Sequence, residues 1–381
     1  MNLRTSLYII ITSSILALAA PLSAHAGIVQ TLDGRLEGNV TFADGRLDVG
    51  GKAAPWEALV YAMPHGRAGG AGSSGAVRLA SGEVWQAEIV SVTAKRLAVR
   101  LALFGKKELD LAQVTALDFV PGLGRADGLQ AGSLYREKGE PVPGALLWVD
   151  ETRLALDSPL GVLTVPRDSV LRYVLAAPSA KAPEAGDDEI GLVDGSILRG
   201  HAKLTPGGLK LEHPVLGNVS IDGAMVWFVA RRGKRIVDIA GLRPESVTAP
   251  GLLAAASPMA TVGFCRTDDQ GRNCGHCLTA ITIQPKTVLR YKLDAVAPKG
   301  GQLVAMLAPM EGAKSPVHVK VVAGGKAILE RDVAPGAEAL AVKVDVPAGG
   351  TLDFDVDYGP QPLFPCGVRF EDPVLIAAEG A

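Results

Sequence analysis

Aromatic residues are scarce, at 5% of a chain that is 48% hydrophobic. Any core must therefore be assembled from Val, Leu and Ala rather than from stacked rings. Neither sign of charge is in excess: 38 Lys and Arg stand against 40 Asp and Glu, a formal net charge of −2. That balance gives no electrostatic basis for holding nucleic acid or an anionic membrane. Beyond the N-terminus, no run approaches the about 20 apolar residues that a membrane-spanning helix needs. Helix-period segments of useful length are missing as well, and 45 Gly and 25 Pro cut the chain into short pieces. Short alternating segments between Gly and Pro clusters read as strands and turns. The six histidines are scattered, and none joins a nucleophile or an acid–base pair in the sequence. No enzymatic chemistry and no cofactor are expected.

What is present begins with a leader. Arg4 supplies a short basic region, Leu7 to Leu18 an apolar one, and Ala24-His25-Ala26 a small-x-small cleavage site. Residues 1–26 are expected to be a signal peptide. The mature, exported protein would start at Gly27, in the periplasm, at the cell surface or outside the cell, with no membrane insertion after cleavage. Retention of the leader as an anchor is the alternative.

A chain of 381 residues exceeds one small core and implies several domains. From Gly27 to Arg231 it repeats itself. Each unit has an early turn, at Leu32-Asp33-Gly34, Ala80-Ser81-Gly82, Glu137-Lys138-Gly139 and Val193-Asp194-Gly195. About a dozen residues later comes a strand starting at Arg46-Leu47, Arg96-Leu97, Arg153-Leu154 or Gly208-Leu209. Each unit closes on an apolar strand, the last being Met225 to Ala230. The expected units are 27–63, 76–121, 125–177 and 190–231, with a Gly/Ser-rich linker at 64–75 and a Pro/Ala/acidic one at 178–189. The first unit is shortest and lacks the middle turn, so it reads as incomplete or as a cap. Four or five short strands per unit suit a small SH3-like or Sm-like barrel. No aromatic platform interleaved with Arg or Lys accompanies them, so RNA is not the expected ligand.

Residues 235–377 differ in texture. Strands are expected at Val288 to Leu293, Gln302 to Leu307, Val317 to Val322 and Leu340 to Val346, as in an antiparallel sandwich. Strand order and landmarks carry a resemblance: Leu289-Arg290-Tyr291-Lys292-Leu293, the hairpin from Val319 to Lys326, and Leu352-Asp353-Phe354-Asp355-Val356-Asp357-Tyr358-Gly359 ahead of a last strand ending in Asp372-Pro373. Together these resemble the NPCBM family of carbohydrate-binding modules. The resemblance implies a galactose-binding-like jelly-roll β-sandwich, so the chain as a whole is expected to be all-β, with the tandem small barrels preceding that sandwich. It also implies a glycan or cell-surface polysaccharide as partner. Two departures bear on that ligand: Phe370 stands where the family usually has Trp, and Leu278 to Ile283 replaces its "Gly-Leu-Gly-x-His" strand.

A sugar packs its C–H face on a ring and needs hydrogen bonds for its hydroxyls. Tyr358 and Phe364, beside Asp357 and Arg369, form the local set of that kind, while Phe370 reads as core. The alternative function is a structural or assembly protein of the envelope, whose sandwich contacts proteins and not sugar. Asp353, Asp355 and Asp357 share one strand face. They read as a solvated polar stripe, with a structural calcium site as the sharper alternative.

All four cysteines, Cys265, Cys274, Cys277 and Cys366, fall in this region. Cys274-Gly275-His276-Cys277 matches a disulfide-isomerase tetrapeptide, yet a β-branched, alternating segment follows it where redox chemistry needs a helix N-terminus. A zinc site is the other alternative, but exported thiols are normally oxidised. Structural disulfides are the expectation. If all four pair within one chain, Cys366 must cross-link to Cys265, Cys274 or Cys277. Closing a loop of about 90–100 residues stabilises by up to ~4.7 kcal/mol in the chain-entropy model. Peptide mapping without reduction is expected to find Cys366 cross-linked; a free Cys366 thiol in protein from an oxidising compartment, without zinc, contradicts it.

Overall fold

The computed structural model describes residues 27–64, 74–123, 129–176, 188–231, 235–249, 260–264, 279–360 and 362–378, the segment 260–264 by its backbone alone. The expected leader, the linkers 65–73 and 177–187, and Cys265, Cys274 and Cys277 lie outside these residues. Within them the chain is all β, and its helices are three-residue 3-10 turns.

Unit one comprises β1 (Gly27–Thr31), β2 (Arg35–Gly38), β3 (Val40–Ala43), β4 (Arg46–Val49), β5 (Lys52–Pro55) and β6 (Leu59–Met63). Unit two has β7 (Ala76–Leu79), β8 (Val84–Val92), β9 (Arg96–Leu101), β10 (Gly105–Asp110) and β11 (Val114–Asp118). Unit three has β12 (Ser133–Arg136), β13 (Val142–Pro143), β14 (Ala145–Val149), β15 (Arg153–Ser158), β16 (Gly161–Pro166) and β17 (Val170–Val174). Unit four has β18 (Asp188–Leu192), β19 (Ile197–Thr205), β20 (Gly208–His213), β21 (Gly217–Asp222) and β22 (Val226–Ala230).

In every unit the first strand pairs with the second and also with the last, so the ladder turns back on itself. A three-stranded meander completes each unit, and a 3-10 turn leads into its last strand. In units two and four, Asp110 and Asp222 cap that turn, accepting the N–H of Ala112 and Ala224 at 3.0 and 2.8 Å. The second strands of units two and three carry a bulge at the same place, Ile89/Ser91 and Leu146/Trp148. Unit one shows the full order of elements despite its short sequence.

The units do not follow one another in space. Last strands join unit two to unit three (β11–β17) and unit one to unit four (β6–β22), while β8 of unit two meets β19 of unit four. The spatial row is three–two–four–one. At each joint equivalent residues face each other: Leu117 and Tyr173, Ala62 and Val229, each fourth in its last strand, and Val84 and Ile197, each first in its second strand. Every joint thus approximates a two-fold axis.

Each joint also buries charge. Between units two and three, Asp118 accepts from Arg78 at 2.9 Å and is chelated by Arg172, in a site with both Asp118 and Arg172 buried. Breaking such a pair by removing one partner typically costs about 3–5 kcal/mol, because the other charge is left unsolvated. Between units four and one, Arg231, paired with Asp188 of its own unit at 2.9 Å, lies 4.5 Å over the Trp56 ring. Between units two and four, His213, the last residue of β20, has its side chain fully buried against Trp85. Its Nδ1 accepts the N–H of Val215 and Leu216, so Nε2 holds the proton and donates to Glu83 Oε1 at 2.7 Å. Ser81 Oγ and the Arg199 N–H donate to the same carboxylate at 2.7 and 2.9 Å.

The remaining strands are β23 (Ile236–Asp238), β24 (Ser246–Thr248), β25 (Ala260–Phe264), β26 (Thr279–Ile283), β27 (Thr287–Lys292), β28 (Gly301–Pro309), β29 (Val317–Ala323), β30 (Lys326–Val333), β31 (Leu340–Val346), β32 (Thr351–Tyr358) and β33 (Val368–Ala377). They form a sandwich of two antiparallel sheets, ordered β25-β26-β33-β28-β31 (with β23 on β33) and β24-β27-β32-β29-β30. Its core includes Tyr291 and Phe354, edge to face within one sheet, and Phe370, which meets Phe354 edge to face across the layers. The outer face of β33 docks on units one and four through Val374 and Ile376, which pack with Ile28, Tyr61 and Phe228. Asp372, at φ 47°, accepts the Thr279 N–H at 2.9 Å and a hydrogen bond from Tyr61. Burial, then the Asp372 charge, push the Tyr61 phenol well above its ordinary value.

Burial alone would raise the Glu83 carboxyl, but hydrogen bonds from His213, Ser81 and the Arg199 backbone outweigh it and hold the group below its ordinary value. A carboxyl lowered on folding contributes stability that is fully present above its unfolded pKa of about 4.3. That contribution is lost as pH falls through the lowered folded value. In thermal unfolding, the gap between wild type and Glu83→Gln is therefore expected to shrink below about pH 4. A gap constant from neutral pH into that range would show that the charge of Glu83 does not hold this joint.

Candidate functional site

One end of the sandwich gathers three loops: residues 284–286 between β26 and β27, 310–316 between β28 and β29, and 359–367 between β32 and β33. The last of these is stitched to the second along its length. Gly359 N donates to Pro316 O (3.2 Å), Leu363 N to Ser315 Oγ (3.0 Å), Lys314 N to Pro365 O (2.8 Å) and Met310 N to Gly367 O (2.9 Å). With its backbone polar groups satisfied this way, the loop can hold apolar side chains in water. Phe364 is 55% exposed and Leu363 60%.

Tyr358, the last residue of β32, meets Phe364 edge to face, with ring centroids 5.8 Å apart at 85°. Lys286 Nζ lies 5.9 Å from the Tyr358 centroid, at the limit of a cation–π contact. Lys286 has φ 59°; it and Asp372 are the non-glycine residues at positive φ among those described. Phe364 and Lys286 are exposed, while Tyr358 is half-buried and packs its inner side against the sandwich core. An edge of one ring on the face of another leaves the exposed ring a face free to pack on a ligand.

Of the residues expected to bind a ligand, the structure thus brings Tyr358 and Phe364 together. Asp357 adjoins them and is exposed, its Oδ1 accepting the Tyr358 N–H at 2.7 Å. Arg369 is elsewhere: it projects from the outer face of the opposite sheet and is clasped by Glu371, with Nε 2.8 Å from Oε1. Phe370 is fully buried core. Lys286, Leu363 and Ser315 were not anticipated. The segment Pro360-Gln361-Pro362-Leu363-Phe364-Pro365 carried a signal for Leu363, since prolines on both sides stiffen a loop. A lysine at positive φ leaves no such mark.

The acidic stripe of β32 is embedded in a row of mixed charge. Asp353 takes two hydrogen bonds from Arg290, at 2.8 and 2.6 Å. Burial and the neighbouring Asp357 push the Asp355 carboxyl up, while Asp332 and Glu330 hold His318 above its ordinary value. Among the described residues no group of three His, Cys, Asp or Glu side chains is placed to hold a metal ion. Cys366 is buried in the sandwich core; Cys265, Cys274 and Cys277, with which it is expected to pair, lie outside the described residues. Also among these residues, no helix is long and apolar enough to cross a membrane.

No protein-family model matches the chain, and no curated protein matches it. Solved structures with local similarity include CBM51 from Clostridium perfringens GH95 in complex with methyl-galactose (13% identity, 37% of this chain and 99% of that one, TM-score 0.30). Another is the tandem CBM51 modules of the family 98 glycoside hydrolase from Streptococcus pneumoniae SP3-BS71 (10% identity, 80% and 88% covered, TM-score 0.31). A third is the CBM22-1 xylan-binding domain of Paenibacillus barcinonensis Xyn10C (11% identity, 38% and 95% covered, TM-score 0.24). Likeness at these values decides nothing about a ligand, which has to be argued from the loops themselves.

The two neighbouring phenylalanines differ in what they cost. Phe370→Ala is expected to destabilise by about 3–5 kcal/mol, as for a buried ring. Phe364→Ala should stay within about 0.5 kcal/mol, as for an exposed side chain away from any cap or ion pair. Urea unfolding of both variants checks this; equal losses would mean that Phe364 is part of the core.

Proposed function

We propose that the C-terminal sandwich binds carbohydrate at the tip formed by Tyr358, Phe364 and Lys286, in an exported, non-enzymatic protein. On this reading the sandwich is of NPCBM type. The four units are SH3-like or Sm-like barrels that present it, and a disulfide from Cys366 adds to its stability. The observation that carries the proposal is the exposed Phe364, on a loop braced by its neighbour, set against a half-buried Tyr358 at the end of β32. A ring pair held in place in water loses little entropy on binding a sugar face. Lys286 and Asp357 stand beside it as donor and acceptor for hydroxyls.

First-to-last strand pairing and the 3-10 turn in each unit support the barrel assignment. One feature favours the second reading, an assembly protein of the envelope: the sandwich already spends the outer face of β33 on contacts with units one and four.

A glycan array probed with the mature chain should yield a set of bound sugars. Titration of those sugars is expected to show Tyr358→Ala and Phe364→Ala each weakening binding about tenfold or more. Unchanged affinity in both variants moves the site elsewhere, and an array without binders favours the assembly reading.

A further inference from the structure

Unit three ends the row of units, and the outer face of its meander β14–β15–β16 is unlike its counterparts. The shared register makes the comparison internal to the chain. In unit two the equivalent face carries the ion pair Glu88–Arg100 at 2.8 Å, and in unit four Lys203–Glu212 at 3.2 Å. These are ordinary solvated surfaces. In unit three, Ala145 and Asp157 take the places of Glu88 and Arg100, and Val162 that of Lys106. Trp148 stands opposite Ala155 on this face, with bulged Leu147 beside it. At the hairpin tip, Leu160 is 100% exposed and Val162 69%, whereas Leu216, the unit-four equivalent of Leu160, is buried in the shared core. Contiguous apolar faces of this kind are rare on monomers unless something covers them.

We propose that the covering partner is a second copy of this chain, with unit three packed face to face on its equivalent about a two-fold axis. Charge selects this occupant. Along β15, Arg153 and Asp157 are exposed on either side of Ala155, which is itself fully covered, so a cation and an anion stand at opposite ends of the face. Neither Arg153 nor Asp157 makes an ion pair among the described residues. A two-fold axis over Ala155 brings Arg153 of each copy onto Asp157 of the other, so the face is complementary to itself. Trp148, Leu147, Val162 and Leu160 supply the dry centre, of which a Trp is the usual anchor. Two-fold contact of equivalent residues is also how the units already meet within the chain. Strand-edge pairing is not the mode here, because Pro141 and Pro143 occupy the positions of Val84 and Gln86, where unit two pairs with unit four.

The test is sedimentation of the mature chain at micromolar concentration. Wild type is expected to dimerise, and the double variant Leu160→Lys, Val162→Lys to sediment as a monomer with an unchanged melting temperature. Arg153→Asp and Asp157→Arg should each weaken the dimer about tenfold or more. An equimolar mixture of the two charge variants should dimerise again, because both cross-copy pairs are then of opposite sign. A monomeric wild type, a dimer indifferent to these variants, or a mixture that stays monomeric each overturns the proposal. So does a monomer that binds phosphatidylglycerol vesicles through Leu160 and Val162, which would assign the face to lipid.

Discussion

Units of about 45 residues are too small to bury a sufficient core alone, and these have few aromatic rings to compensate. The rest of the architecture follows from that constraint. Closing each ladder from first strand to last removes edges, yet the last strand keeps one side open, and that side is where the units join in pairs. The shared ladders merge the small cores into one cluster running from Val29 to Val229. Burial gained this way is nondirectional, so it does not by itself choose which unit meets which. The choice is made by charge. Asp118 of unit two with Arg172 of unit three, and Glu83 of unit two with His213 of unit four, are each satisfied by one particular neighbour, and Arg231 of unit four stacks on Trp56 of unit one. A mismatched joint would leave a charge or an imidazole in a dry site.

Much of the fold class could be read from residues two apart. In Val317–Ala323 every second side chain is buried, as its alternation announces. Glycines such as Gly105, Gly161 and Gly217, all at positive φ, mark the same hairpin in three units. The spatial order of units could not be read, because each joint links segments far apart in the chain. The burial of His213 could not be read either, because its partner Glu83 lies 130 residues away. In the sandwich tip, Tyr358 and Phe364 were visible as aromatics in a Pro-rich loop. Arg369 was misjudged as their neighbour because alternation fixes which side of a strand a residue takes, not which sheet the strand joins.

The sandwich divides its surfaces. The outer face of β33 is committed to units one and four, with the Tyr61–Asp372 contact at its centre. The facing sheet displays a row of paired charges, from Arg290–Asp353 to His318–Asp332, that keeps it wet. Its loop end is left open and rigid. Fixing the module on its base means that the tip has an orientation, not merely a reach, relative to the four units.

The row three–two–four–one also sets an order in time. Units two and three are neighbours in sequence and can join as soon as both emerge. Unit one cannot: β6 has its partner in β22, and Arg231 reaches the Trp56 carbonyl across 175 residues. Until unit four is made, unit one carries an unpaired strand edge and the apolar side chains Val60, Tyr61 and Met63, which later lie buried with the sandwich. A free edge flanked by exposed apolar residues is the kind of surface that pairs with the wrong chain. The first unit to be synthesised is therefore the last to be safe, and a chain interrupted before unit four carries its hazard at its beginning rather than at the break.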